Sequence, residues 1–184
     1  MIVDTMSAWD RELLISALAS EDLRPEDITH VVNTHGHPDH VGNNNLFTGP
    51  GVVHVMGHSI HISDIYNTEI NFKAGATYSI DGDNLQVMYR ISSCQKLKTT
   101  RKVFATPGHT MDSVSVKVFT REGVCVVSGD TFEKEEDLTD DSIWKEAGSD
   151  SEELQRKSRE EILSMADIIV PGHGPSFKNP SKHN

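Results

Sequence analysis

Cysteine is scarce in this 184-residue chain, which has only Cys94 and Cys125. Two cysteines cannot supply the disulfide framework of a small secreted domain. The composition therefore points to a reduced cytosolic or nuclear protein, with Cys125 buried in a strand. No run of about eighteen apolar residues occurs, so no segment has the length of a membrane-spanning helix. Positive charge is also short: 17 Lys and Arg against 28 Asp and Glu leave a formal net charge of -11. That balance excludes broad, sequence-independent attraction to nucleic acid or to an anionic membrane. It leaves room for RNA held at a bound divalent metal, whose charge the count omits. The opening "MIVDTMSAWD" lacks the basic-then-apolar layout of a signal peptide. Repeats and low-complexity linkers are absent, and the length suits one domain, 1–184, with a substantial core.

What is present reads as alternating strands and helices. "AWDRELLISALAS" places Leu13, Leu14, Ala17 and Leu18 on one helical face, with Ser7 as N-cap. "ITHVVNT" and "GVVHV" predict strands, and "TYSIDGDNLQVM" predicts a hairpin around Asp81 and Gly82. "KVFAT", "SVSVKVF" and "VCVVS" follow as strands, the last two joined by a turn at "REG". "SDSEELQRKSREEILSMA" predicts a helix with Leu154, Ile162, Leu163 and Met165 as its apolar residues, and "DIIV" a final strand. The acidic stretch "EKEEDLTDD" has the look of a solvated loop.

Four of these strands end in metal-ligand chemistry. "VVNT" runs into His35 and His37, with Asp39 and His40 just beyond; "VFAT" runs into Pro107-Gly108-His109. "VCVVS" runs into Gly129-Asp130, and "DIIV" into Pro171-Gly172-His173. Glycine beside the donor at the strand end lets the backbone turn tightly. Alternation on an extended segment sends His35 and His37 to the same side, and imidazole suits zinc, iron or copper. A rigid sheet edge that presents convergent loops is a sound way to fix several ligands. The other histidines, His30, His54, His58, His61 and His183, read as structural or surface residues, with His58 and His61 the pair placed for a substrate contact. Lys96, Lys98, Arg101 and Lys102 form the one concentrated basic run, usually a solvated loop and the first candidate for a phosphate contact.

"THGHPDHVGN", "PGHT", "SGDT" and "PGHG", in this order, resemble the metal-binding motifs of the metallo-β-lactamase fold hydrolases, over nearly the whole chain. The resemblance implies an α/β fold, a four-layer αββα sandwich, around a dinuclear zinc site, with iron or manganese as substitutes. It implies that His35, His37 and His109 hold one metal, that Asp39, His40 and His173 hold the other, and that Asp130 bridges them. Asp39 would also be catalytic, orienting the attacking water and receiving its proton.

Asp39 next to His40, together with Asp130, resembles the glyoxalase II, lactonase and RNA-processing branches more than true β-lactamases. The short interval from Asp130 to His173 leaves no space for the inserted domain of the β-CASP branch. The finer wording, "EDITHVVNTHGH" and "ATPGHT", is similar to an RNA-processing branch. What that implies is endoribonuclease cleavage in histone pre-mRNA 3′-end processing, by a homodimer of cytosol and nucleus. Two departures stand out. The branch reads "VDTG" where this chain has Met6 after Thr5, beside Asp4. The chain also begins at a strand that family members normally precede with several others, so an incomplete first sheet is expected. A glyoxalase II-like hydrolase of thioesters, lactones or lactams is the second functional candidate, and a catalytically idle metal-binding fragment the third.

Overall fold

The computed structural model describes residues 1–63, 65–69, 77–81, 84–88 and 101–182. Two compact units, Met1–Ile70 and Asn71–Asn184, each carry one sheet.

In the first unit, β1 (Ile2–Val3) is followed by α1 (Arg11–Ser20), β2 (His30–Asn33), the short α2 (Pro38–Val41), β3 (Val53–Met56), β4 (Ser59–Ile62) and β5 (Ile65–Glu69). The sheet order is β1-β2-β3-β4-β5. The first three strands are parallel, and β4 and β5 return antiparallel. β2 is buried at every position, the polar His30 and Asn33 as well as Val31 and Val32. Leu14 and Leu18, one helical turn apart on α1, pack with Ile28, Val31, Phe47 and Val52. Burial of each such leucine stabilises by about 1.5–3 kcal/mol. The apolar face expected of α1 is narrower than four residues: Leu13 stays 58% exposed and Ala17 is exposed as well. Ser7 does occupy the N-cap position, though of a preceding 3-10 turn, and its hydroxyl donates to Asp10 instead of capping a backbone N–H.

In the second unit come β6 (Thr77–Asp81), β7 (Asn84–Met88), β8 (Arg101–Ala105), β9 (Val114–Thr120) and β10 (Gly123–Gly129). They are followed by α3 (Asp141–Glu146), α4 (Glu152–Met165), β11 (Ile168–Pro171) and β12 (Phe177–Lys178). The order is β12-β11-β10-β9-β8-β6-β7. Among the described strands of this unit, only β10 and β11 pair in parallel, with α3 and α4 as the crossover between them. The predicted hairpin is the β6–β7 pair, with Asp81 opposite Asn84; Gly82 lies outside the described residues, as do Cys94, Lys96, Lys98 and His183. Arg101 and Lys102, the described end of the basic run, belong to β8. Cys125 lies on β10, as expected of a strand residue, but is half-buried and not fully enclosed.

The core of this unit gathers Phe104, Val126, Phe132, Ile162, Ala166, Ile169 and Phe177. α4 begins at Ser151, whose hydroxyl accepts from Leu154 N at 3.3 Å. It ends where Asn179 Nδ2 donates to the carbonyls of Leu163 and Ala166, both at 2.7 Å. The otherwise orphaned last carbonyls are thereby satisfied. Its buried face differs from the apolar set predicted. Gln155, Ser158 and Arg159 are buried with Ile162, while Leu154, Leu163 and Met165 are only partly covered. Gln155 Nε2, Ser158 Oγ and the Arg159 guanidinium all donate to backbone carbonyls, whereas Gln155 Oε1 is buried without a hydrogen-bond partner. The acidic stretch is likewise not uniformly solvated: Glu133 and Asp137 are buried.

Candidate metal centre

In the first unit, β2 delivers Thr34, His35 and His37, and Pro38 opens α2 at the position where its missing N–H costs nothing. Asp39 and His40 therefore sit one behind the other on that single turn. His35 and His40 are buried with ring centroids 4.1 Å apart, and His35 Nε2 lies 2.9 Å from His37 Nδ1. His37 and Asp39 are exposed.

Asp4 organises this cluster from more than thirty positions away. Its Oδ1 accepts from Thr34 N at 2.7 Å, and its Oδ2 from the Thr34 hydroxyl at 2.9 Å and from His40 Nδ1 at 2.8 Å. Since the Thr34 hydroxyl gives its only proton to Asp4, it accepts from His35 Nδ1 at 3.1 Å. Both buried imidazoles are thereby held in the tautomer that leaves the lone pair on Nε2, as metal-ligating histidines require.

The turn that carries Asp4 is strained. Asp4 and Met6 both have positive φ, 58° and 59°, so Met6 takes the left-handed backbone that glycine adopts more readily. Thr5 N and Gly42 N donate to His40 O and Met6 O at 2.8 and 2.9 Å, stitching the turn to α2. A Cβ on Gly42 would overlap the backbone of residues 6 to 8.

In the second unit, His109 Nδ1 donates to Gly148 O at 2.8 Å, which again directs Nε2 inward. Asp130, at the end of β10, sets Oδ2 3.5 Å from His109 Nε2 and 3.3 Å from His173 Nε2. One carboxylate oxygen thus faces two imidazoles. Gly172 leaves room for this carboxylate, because a Cβ there would displace Asp130 Oδ1.

Sequence reasoning did not single out Glu133. It is 6% exposed, and its Oε2 stands 3.8 Å from His173 Nε2. Ligand atoms of Asp130, Glu133 and His173 all lie within 4.8 Å of one another. The one signal was its place three residues after Asp130, at the head of the acidic stretch.

α4 supports these loops. Gln155 Nε2 donates to Asp130 O at 2.9 Å, Ser158 Oγ to Pro107 O at 2.8 Å, and Arg159 Nη1 to Thr131 O at 2.9 Å. Arg159 also pairs with the buried Asp137 at 2.8 Å.

The remaining histidines separate by role. His30 Nδ1 lies 2.9 Å from its neighbour Thr29 Oγ1, and buried His54 Nε2 donates to Phe47 O at 3.0 Å. His54 stacks on His61 with centroids 5.0 Å apart, beside a first-unit cavity of about 390 Å³ that also meets Asn45, Thr48 and Val52. Burial holds the His54 imidazole below its ordinary pKa and pushes the Cys125 thiol up. A raised thiol pKa disfavours the reactive thiolate at Cys125.

Each unit thus presents donors suited to a divalent cation: imidazoles with one nitrogen tied back and the other directed at neighbouring ligands, beside acceptor-only carboxylates. A model of the metallo-beta-lactamase superfamily matches residues 1–173. The chain is 38% identical over 180 residues to metallo-beta-lactamase domain-containing protein 1 of Xenopus laevis, covering 97% of this chain and 67% of that one. It spans between 59% and 67% of the length of four such relatives. Among solved structures, the metallo-beta-lactamase of Cronobacter sakazakii matches with a TM-score of 0.55 at 16% identity, over 93% of this chain and 66% of its own. A quorum-quenching N-acyl homoserine lactone lactonase matches with a TM-score of 0.54 at 17% identity, over 94% and 73%. Ligand motifs, mixed α/β sheets and sequence agree: this chain belongs to the metallo-beta-lactamase superfamily and has its fold.

Proposed function

We propose that residues 1–184 act as one catalytic domain that hydrolyses RNA phosphodiesters at a dinuclear metal centre, zinc by preference. His35, His37 and His109 would hold one ion; Asp39, His40 and His173 the other; Asp130 would lie between them. When bound, two such cations supply Lewis-acid polarisation of the phosphoryl oxygen and a lowered pKa for water. The chain's own groups do the rest. Asp4 and the Gly148 carbonyl keep His40 and His109 oriented. Asp130 would offset part of the positive charge of the ions it helps to hold. Asp39, exposed at the start of α2, would orient the water and take up its proton.

The observation that carries this reading is the tautomer control. His35, His40 and His109 each give Nδ1–H to a hydroxyl, carboxylate or carbonyl and keep Nε2 as a donor to metal. An idle remnant would have no reason to retain Asp4, Thr34 and the Gly148 turn in these roles. RNA as substrate, with histone pre-mRNA as the implied target in cytosol and nucleus and a homodimer as the implied assembly, rests on the likeness of "EDITHVVNTHGH" and "ATPGHT" to the RNA-processing branch.

One observation favours a second reading. A net charge of -11 opposes a polyanion and suits a small thioester, lactone or lactam. Turnover by metal-loaded protein of single-stranded RNA and of a thioester and lactone panel separates the two. RNA cleavage abolished in Asp39→Ala and His109→Ala, with shallow salt dependence because few phosphates are contacted, is the expected result. Small-molecule turnover far above RNA cleavage, lost in the same variants, would replace it.

A further inference from the structure

Glu133 is placed too deliberately to be a spare member of an acidic stretch. The chain leaves β10 and β11 side by side and stays paired beyond them: Gly172 N donates to Phe132 O and His173 N to Glu133 O, both at 2.9 Å. The side chains of Glu133 and His173 are therefore delivered together. Glu133 N donates to Asp137 Oδ2 at 2.7 Å, and Asp137 is held in turn by Arg159. With Gln155 on Asp130 O, Arg159 on Thr131 O and Phe132 in the core, the segment from Asp130 to Glu133 is pinned along its whole length.

The distances indicate what the pinning serves. Glu133 Oε2 is 3.8 Å and Asp130 Oδ2 3.3 Å from the same atom, His173 Nε2. At 3.8 Å the glutamate is beyond hydrogen-bond range of that nitrogen. Donors that share one ion at about 2.0–2.2 Å, however, stand about 3–4 Å from each other.

We propose that Glu133 is a metal ligand at the Asp130–His173 position, and that it makes this the oxygen-rich position of the centre, favouring manganese(II) or iron(II). Carboxylate oxygens suit manganese, whereas imidazole suits zinc. The proposal rests on the metal-hydrolase reading above, which did not include Glu133 among the ligands.

The test uses the full chain, stripped of metal and titrated with manganese(II) by electron paramagnetic resonance and with zinc(II) against a chromophoric chelator. Parent, Glu133→Gln and Glu133→Asp are compared. Glu133→Gln should bind manganese(II) about tenfold or more weakly and lose less zinc(II) affinity, with the unfolding midpoint of the metal-free chain unchanged. Glu133→Asp, which keeps the charge, should recover part of the manganese affinity. Parent-like manganese binding by Glu133→Gln would overturn the proposal, as would equal losses for both metals with a lowered metal-free midpoint in both variants. A parent chain that binds neither ion defeats the hydrolase reading and this proposal with it, whereas the first two outcomes defeat this proposal alone.

Discussion

The two units position their candidate ligands in opposite ways. In the first, four donors come from positions 35 to 40 of the sequence, and one remote residue, Asp4, orders them. In the second, His109, Asp130 and His173 arrive from three separate loops, and the buried polar face of α4 anchors those of His109 and Asp130. A compact motif needs only a well-oriented neighbour; a dispersed one needs a rigid frame. The first unit should therefore fail through orientation of its imidazoles, and the second through collapse of its frame.

The largest effect expected lies in that frame. Arg159→Ala leaves Asp137 buried without its partner, a situation that costs about 3–5 kcal/mol, and chemical denaturation should show a loss of that order. Replacing the pair together, Arg159→Met with Asp137→Leu, should restore only part of the stability: the uncompensated charge is gone, but Glu133 N, Thr131 O and Asp137 O lose their partners. If the single variant were as stable as the parent, the second unit would not depend on α4 as described.

Orientation in the first unit is tested by Asp4→Ala. Loss of the acceptor for His40 Nδ1 should weaken metal binding by about 10–100-fold, read by chelator competition, while denaturant stability falls less than in Arg159→Ala. A greater loss of stability than of metal affinity would reverse the contrast between the units.

A smaller effect is expected at Met6. Its left-handed backbone tolerates a β-branched residue poorly, so Met6→Ile should cost about 1–2 kcal/mol. Met6→Gly should stay within about 1 kcal/mol of the parent, because relief of strain offsets lost packing and the entropy of glycine. Thermal melts of both variants measure this.

The smallest concerns pH. Because burial lowers the His54 pKa, the unfolded chain takes up that proton first as pH falls. The contribution to stability is full above about pH 6.5, the unfolded value, and is lost as pH falls through the folded one. His54→Gln should flatten the acid side of the stability curve relative to the parent; an unchanged slope would remove His54 from the pH response.

The same contrast explains what the sequence revealed. His35, His37, Asp39 and His40 were legible because contiguous donors at a strand end leave a local signature. His109, Asp130 and His173 were legible because each follows an apolar strand beside a glycine. The strands β2, β3 and β6 to β11 were visible in their apolar runs and alternation. β4 was not, since "SIHI" is short and carries a histidine that stacks on another strand. The buried face of α4 was misjudged because Gln155 and Arg159 are polar, and their burial makes sense only once the loops they hold are in place. Glu133 was hidden for the same reason: inside "EKEEDLTDD", nothing local separates a carboxylate turned inward from its solvated neighbours. Local chemistry is written in the motif, whereas the frame is written in partners far apart along the chain.

Elemental analysis of the folded chain, purified without chelator, tests the central claim most directly. The seven proposed donors predict about two zinc, iron or manganese ions per chain. Asp130→Asn should lower that content, while Cys125→Ser should leave it unchanged. A content near zero in well-folded protein, or full occupancy in Asp130→Asn, would contradict the account.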